Sequence, residues 1–371
     1  MQATQQSKTI LVTAILITIC ILTYIMRVGQ DIIIPLLFSA FFAILLSPVI
    51  IFFEDRKMPR ILAITVTMIL ALIVMAGLIY FVSIQVSLFS NSLPDLEKKL
   101  EILQEEGVTW VAQNFHLKPE NIEHWISDVK TDFMENSSVY IGTTLSTLTG
   151  VLAILILLPI YTMMMLYYEP LFIVFVQKAV PEQKHSITKD IITEAKMVMQ
   201  SYLSGLLIEA LIVGILNFAG LLILGIDYAI LWAIIGALLN IIPYIGIIIA
   251  TIFPFTIALI TKEPSYAFLV LAVYASIQFI DNNIIVPKIV ASRVKINALV
   301  SIIIVLIGGS IWGISGMFLS LPLVAVAKII FDRIPHLKPY GYLIGDVMPA
   351  KATFFKRSRN LKTKTPPVKV N

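Results

Sequence analysis

One cysteine, Cys20, is all the chain contains, so neither an intramolecular disulfide nor a cysteine metal cluster can form within it. Charge is scarce too: Asp, Glu, Lys and Arg together make up 13% of 371 residues. There is no Gly-Lys-Ser/Thr loop to cradle a phosphate and no His-Glu-x-x-His pair for zinc, so no enzyme, no cofactor and no ATPase domain are expected. His116, Glu120 and His124 fall within nine residues, but Pro119 interrupts them and no metal-ligand spacing results. What fills the chain instead is apolar. Hydrophobic residues reach 58% and the mean hydropathy is +0.92, more than one soluble core could hide. These numbers describe an all-α polytopic membrane protein.

Apolar runs occur at 9–26, 32–53, 61–89, 141–168, 201–224, 228–260, 265–280 and 298–330. The first is long for a signal peptide and is followed by Arg27 to Asp31, which offers no small-residue cleavage site, so a retained span is expected. A straight helix through 228–260 would measure roughly 50 Å against about 30 Å of hydrocarbon, too much for ordinary tilt. "IIPYIG" at 241–246 interrupts this run: Pro243 withholds a backbone donor and Gly246 permits a tight reversal. A re-entrant hairpin follows, with backbone groups at its tip that need a cavity or protein around them. The run 298–330 is interrupted in the same way by "GGSIWGISG" at 308–316 and then by Pro322, and a second hairpin is expected there. A long kinked span protruding into water is the competing description of both runs. The run 61–89 has only Gly77 and turns polar at Ser83, Gln85 and Ser87, as a helix leaving the bilayer would.

Charge favours the hairpins. With six spans and two hairpins, 21 of the 27 Lys and Arg fall on one side and 6 on the other; eight simple spans give 19 against 8. Both termini are therefore expected in the cytoplasm of a cell-membrane protein. The same topology makes span 201–224 plus hairpin 228–260, and span 265–280 plus hairpin 298–330, an inverted pair, the pattern that points to a transporter's substrate site. The chain divides into N-terminal scaffold helices (1–89), an extracytoplasmic amphipathic segment (90–140), a fourth span with a cytoplasmic amphipathic helix (141–200), a transport core (201–334) and a basic tail (335–371). The tail's expected partner is anionic lipid, not nucleic acid.

Over most of its length, and most strongly between Gly205 and Asp346, the sequence resembles the autoinducer-2 exporter family of bacterial and archaeal membrane proteins. "IIPYIG" at 241–246, "QFIDNNIIVPKIV" at 278–290 and "LIGGSIWGISGMFLSLPLVAVAKIIFD" at 306–332 carry the resemblance. It departs from the family at Ile247, where Pro often follows the glycine. The resemblance implies a homo-oligomer, a pentamer, with two hairpins per protomer and elevator-like motion, exporting an autoinducer-2-like furanosyl solute in quorum sensing. Sodium/proton antiport is the family's second implied activity, and a non-transporting scaffold is the third class to separate.

Glu209 is the only charge between Lys196 and Asp227. It suits a proton or cation site, and equally a hydrogen-bonded residue between helices. Asn217 follows eight residues later on a similar face and reads as packing. Gln278, Asp281, Asn282 and Asn283 form a polar cluster able to exchange hydrogen bonds with a small polyol, or to cap a helix end before Pro287. Asp281 is also a coupling candidate. Around the expected tips, Asn240, Pro243, Tyr244, Gly246, Gly308, Gly309, Ser310, Trp312, Gly313 and Gly316 complete the candidate substrate site, with Ser315 beside them; Tyr244 and Trp312 could equally be packing aromatics. No metal is expected in it.

Overall fold

A computed structural model of the chain describes residues 2–115, 157–242, 245–290 and 296–346. Among these the fold is all helical, with an isolated bridge between Ile296 and Gly345. The elements are α1 (Gln2–Val28), α2 (Gln30–Glu54), α3 (Arg60–Phe115), α4 (Leu157–Ala179), α5 (His185–Ile223), α6 (Ala229–Asn240), α7 (Ile245–Thr261), α8 (Pro264–Ile280), a π-helical stretch (Asp281–Val290), α9 (Ala298–Arg333) and α10 (Lys338–Ile344). Six helical segments are long and apolar enough to cross a membrane. They are Gln30–Glu54, Arg60–Pro94, Leu157–Ala179, Glu182–Ile223, Pro264–Ile289 and Ala298–Arg333, with shorter apolar helices at Thr13–Val28, Ala229–Asn240 and Gly246–Thr261.

The distribution of side chains is that of a membrane protein. Large apolar residues cover the outside, as on α3, where Ile73 and Val74 are 62% and 65% exposed, while Glu209, Asn217 and Asp281 are buried. With lipid as apolar as leucine, helices associate by close approach and internal hydrogen bonds, and small residues allow the approach. Gly214 lies against Ala237, and Gly220 against Val273.

Several boundaries differ from the sequence reading. Only Gly29 separates α1 from α2, and its φ of −84° and ψ of 9° give a bend in place of a loop. The expected cytoplasmic helix and the span at 201–224 form one continuous helix, α5, because no glycine or proline interrupts 185–204. In α3 the apolar run and the charged segment after it likewise share one helix of 56 residues.

Among the described residues three larger apolar cores result, beside a small cluster of Val213, Ile277 and Ile285. Ala43 and Ile50 of α2 meet Ala63, Ile64 and Met68 of α3 and Leu166 of α4. Phe41 of α2, Met199, Tyr202 and Leu203 of α5, and Trp312 and Leu319 of α9 form the second. The third joins Leu221 of α5 to α6, α7 and α8 through Leu231, Trp232, Ala250, Ile257, Val270 and Tyr274. Helix α5 thus belongs to both larger cores. At its N-terminal end, Arg60 and Lys196 each reach a Glu169 oxygen at 2.7 Å, and Arg333 reaches Glu194 at 2.6 Å.

The interrupted runs have distinct local geometry. Helices α6 and α7 pack side by side, and the backbone of Gly246 is pressed so closely on the Leu239 carbonyl that an added Cβ would overlap it. Within α9, Trp312 leaves the helical region and Gly313 takes φ 60°, ψ −140°. The chain folds back there, because the position of a Cβ on Gly316 is 1.9 Å from the Gly308 carbonyl oxygen, whereas eight residues of straight helix span about 12 Å.

Candidate functional site

Helix α5 buries a stripe at four-residue spacing: Gly205, Glu209, Val213, Asn217 and Leu221. That spacing keeps successive side chains on one face, here the face turned to α6 and α8. Glu209, 7% exposed, lies opposite Asp281, 2% exposed, at the start of the π-helical stretch. Asn240, the last residue of α6, stands between them. Its Nδ2 donates to Glu209 Oε1 at 3.2 Å and to Asp281 Oδ2 at 3.3 Å. One side-chain amide thus holds two carboxyl groups from two other helices.

The π-helical stretch has a local cause. Pro287 has no N–H to give, and its ring crowds the carbonyl of Asn283 four residues earlier, so regular α-helical bonding fails across Asp281–Val290. Wider turns of this kind are frequent at functional sites. Asp281 keeps one oxygen, Oδ1, buried without a partner. The ion pairs among the described residues all lie elsewhere, so no described Lys or Arg is paired with either carboxyl group. Chemically, two carboxyls joined by a neutral amide suit the capture of a proton or a small cation, or of a polar solute's hydroxyls.

The other sequence candidates are placed variously. Gln278 donates to Asn282 Oδ1 at 3.1 Å and Asn283 donates to the Phe279 carbonyl at 2.8 Å; both asparagines are exposed, away from the buried carboxyl pair. Gln278 also lines a groove of about 720 Å³ between α7 and α8 with Thr251, Thr256 and Tyr274. In α9, Gly308, Gly309 and Gly316 serve close packing against Ser320, Met317 and one another. Ser310 donates to the Ile307 carbonyl. Trp312 is buried and its indole N–H donates to the Met26 carbonyl of α1 at 2.8 Å. Gly246 is buried against α6, and Gly313 is exposed. Pro243 and Tyr244 lie outside the described residues. Among the described residues, helix α9 packs on α5, α10, α1 and α2 and makes no extended contact with α6 or α7.

Two residues went unmarked in the sequence. Tyr274 and Gly236 lie beside Asn217: the position of a Cβ on Gly236 is 3.1 Å from Asn217 Nδ2 and 3.6 Å from the Tyr274 hydroxyl. The available signal was periodicity. Tyr274 precedes Asp281 by seven residues and Gly236 precedes Asn240 by four, so each shares a helix face with a candidate.

The model of the AI-2E family transporter matches residues 11–336. The chain is 26% identical over 316 residues to YueF of Bacillus subtilis (strain 168), covering 82% of this chain and 84% of that protein. It is 27% identical over 327 residues to YhhT of Escherichia coli (strain K12), covering 86% and 90%. With the AI-2 transport protein TqsA of the same strain it shares 24% identity over 330 residues, 86% of this chain and 91% of TqsA.

Proposed function

From the premise that the chain belongs to the AI-2E family of transporters, we propose that it exports a small polar solute, with an autoinducer-2-type furanosyl molecule as the first candidate, and that Glu209 and Asp281 couple this movement to a proton or cation. The reading is transport, not catalysis. The observation that carries it is the Asn240 amide held between two buried carboxyl groups from separate helices. Ionisable groups within a membrane span are expensive and mark solute or ion pathways. The name of TqsA supports the solute class.

The fold-back at Trp312–Gly313 and the close packing of α6 on α7 support two re-entrant hairpins, and with them an inverted repeat and elevator-like alternating access. A homo-oligomer, a pentamer, in the cell membrane with both termini in the cytoplasm completes the proposal. The second reading, cation/proton exchange without an organic solute, is favoured by one feature: neither carboxyl group has a cationic partner among the described residues. An incoming cation would supply one.

The test is efflux of an autoinducer-2-type sugar from liposomes holding the purified full-length protein, with and without a proton gradient, beside empty liposomes. Protein-dependent efflux accelerated by the gradient is expected. No efflux from folded protein, together with gradient-driven sodium uptake, would replace the export reading by exchange; neither flux would leave the scaffold class.

A further inference from the structure

The carboxyl pair is one of two polar layers between α5, α6 and α8. In the second layer Asn217, 1% exposed, has neither Nδ2 nor Oδ1 in a hydrogen bond among the described residues, and the hydroxyl of Tyr274, 2% exposed, is likewise without a partner there. Both groups converge on bare backbone at Gly236, at 3.1 Å and 3.6 Å from where its Cβ would stand. A buried amide left unbonded at both ends is costly in an apolar surround. A guest that both accepts and donates would satisfy it.

The two layers lie on the same three helices. Counting from the carboxyl pair, the second layer is eight residues on along α5, four back along α6 and seven back along α8, or about 12, 6 and 10 Å. The antiparallel order of these helices makes all three steps run the same way, and the next contact in that direction, Gly220 on Val273, continues it. Between the layers lie Val213, 2% exposed, and Ile277, 7% exposed, packed in one apolar cluster. The order is thus charged layer, apolar partition, neutral polar layer.

We propose that Asn217 and Tyr274, facing each other across Gly236, form a second binding station that takes a single hydroxyl-bearing guest, beyond an apolar partition from the carboxyl pair. The chemistry required is one oxygen that accepts from the Asn217 amide N–H and donates to its carbonyl or to the Tyr274 oxygen. Water has it, and so does one hydroxyl of a neutral sugar; a lone cation lacks the donor and gains no charge here. Gly236 is the floor of this station because a Cβ there would stand 3.1 Å from Asn217 Nδ2 and 3.6 Å from the Tyr274 hydroxyl and would narrow the space between them. The proposal rests on the transport reading for its role as a step on a path, but not for the binding itself.

Hydroxyl-radical labelling read by mass spectrometry tests it in the full-length protein in liposomes, since radicals formed from a bound water modify an adjacent tyrosine whose hydroxyl is buried. Tyr274 should be labelled in the unaltered protein, beside the exposed Tyr340 and Tyr342 as positive controls. Gly236→Ala, whose methyl group crowds both the Asn217 amide and the Tyr274 hydroxyl, and Asn217→Leu, which keeps volume and removes the amide, should each abolish the label on Tyr274 while leaving Tyr340 and Tyr342 unchanged. Where one variant does not fold, the other decides. An unlabelled Tyr274 in the unaltered protein, or a label that persists in either folded variant, overturns the station. An autoinducer-2-type sugar that protects Tyr274 identifies the guest as a solute hydroxyl; unchanged labelling identifies water, and both leave the station in place. Because the label reports occupancy and not flux, failure here is separate from failure of the export assay.

Discussion

Gly313→Ala separates a folded-back α9 from a straight one by the sign of its effect. Gly313 sits at φ 60°, ψ −140°, and no heavy atom lies within 4 Å of where its Cβ would be. The substitution therefore adds no clash and reports the backbone alone. An L-residue in this sparsely populated region costs roughly 1–3 kcal/mol. If α9 ran straight through residue 313, the same change would stabilise it by about 0.5–1 kcal/mol, since glycine is the poorer helix former. Gly77, in the middle of α3 with open space around its Cβ position, is the internal reference, and Gly77→Ala should show that helical gain. Reversible unfolding of the purified full-length proteins by detergent titration gives both values under one condition. The expected difference corresponds to a fivefold to 150-fold shift against folding for Gly313→Ala, on the scale of roughly 1–3 kcal/mol. A gain of stability for Gly313→Ala equal to that for Gly77→Ala would refute the fold-back.

Glu209→Gln and Asp281→Asn should each reduce gradient-dependent flux in liposomes while elution and unfolding stay close to those of the unaltered protein; normal coupled flux in both variants would remove their assigned roles. Asn240→Leu withdraws the amide that both carboxyls share, and a loss of about 1–3 kcal/mol is expected from the groups left without a donor. The double variant Asn240→Leu with Asp281→Asn should recover part of that loss, which an unfolding titration of the three proteins checks. Glu169→Ala removes the acceptor of Arg60 and Lys196, side chains 40% and 36% exposed. Pairs this open are worth about 0.2–1 kcal/mol each and are screened by salt. A small fall in melting temperature is expected, shrinking between low and high ionic strength; a fall that salt does not change would assign Glu169 a packing role instead.

Much of the helical organisation was legible because apolar runs in a membrane chain mark their own lengths. The breaks at 243–246 and 308–316 were legible for a related reason: proline and clustered glycine interrupt runs too long for one span, whereas single prolines such as Pro35 and Pro48 stay inside α2. Boundaries outside the apolar zone were less so. Nothing in composition distinguishes one helix of 39 residues at His185–Ile223 from two, because His185 to Gln200 is amphipathic and the run after it is uniformly apolar, and both are helical. The one-residue joint at Gly29 is similar. Arg27 and Asp31 suggest a polar loop, but the backbone needs only a bend.

The site was legible as a set of residues and hidden as an arrangement. Glu209, Asn240 and Asp281 stand out one by one as polar groups in apolar surroundings, yet 31 and 41 residues separate Asn240 from its two partners, and no local spacing joins them. Their meeting depends on α5 packing against α6 and α8 with glycines at the contacts, information carried by Gly214, Gly220 and Gly236 and not by the polar residues themselves. The glycines of α9 had the opposite fate. In a motif rich in Gly, Ser and Trp, glycine can admit a ligand or admit another backbone, and the sequence pattern is the same for both. In the structure Gly308 and Gly316 admit each other, and Trp312 spends its indole N–H on the Met26 carbonyl. A pattern of small residues at a break therefore locates a close approach, while buried polar atoms without described partners that converge from several helices, as at Asn217 and Tyr274, are what sets the proposed guest position apart.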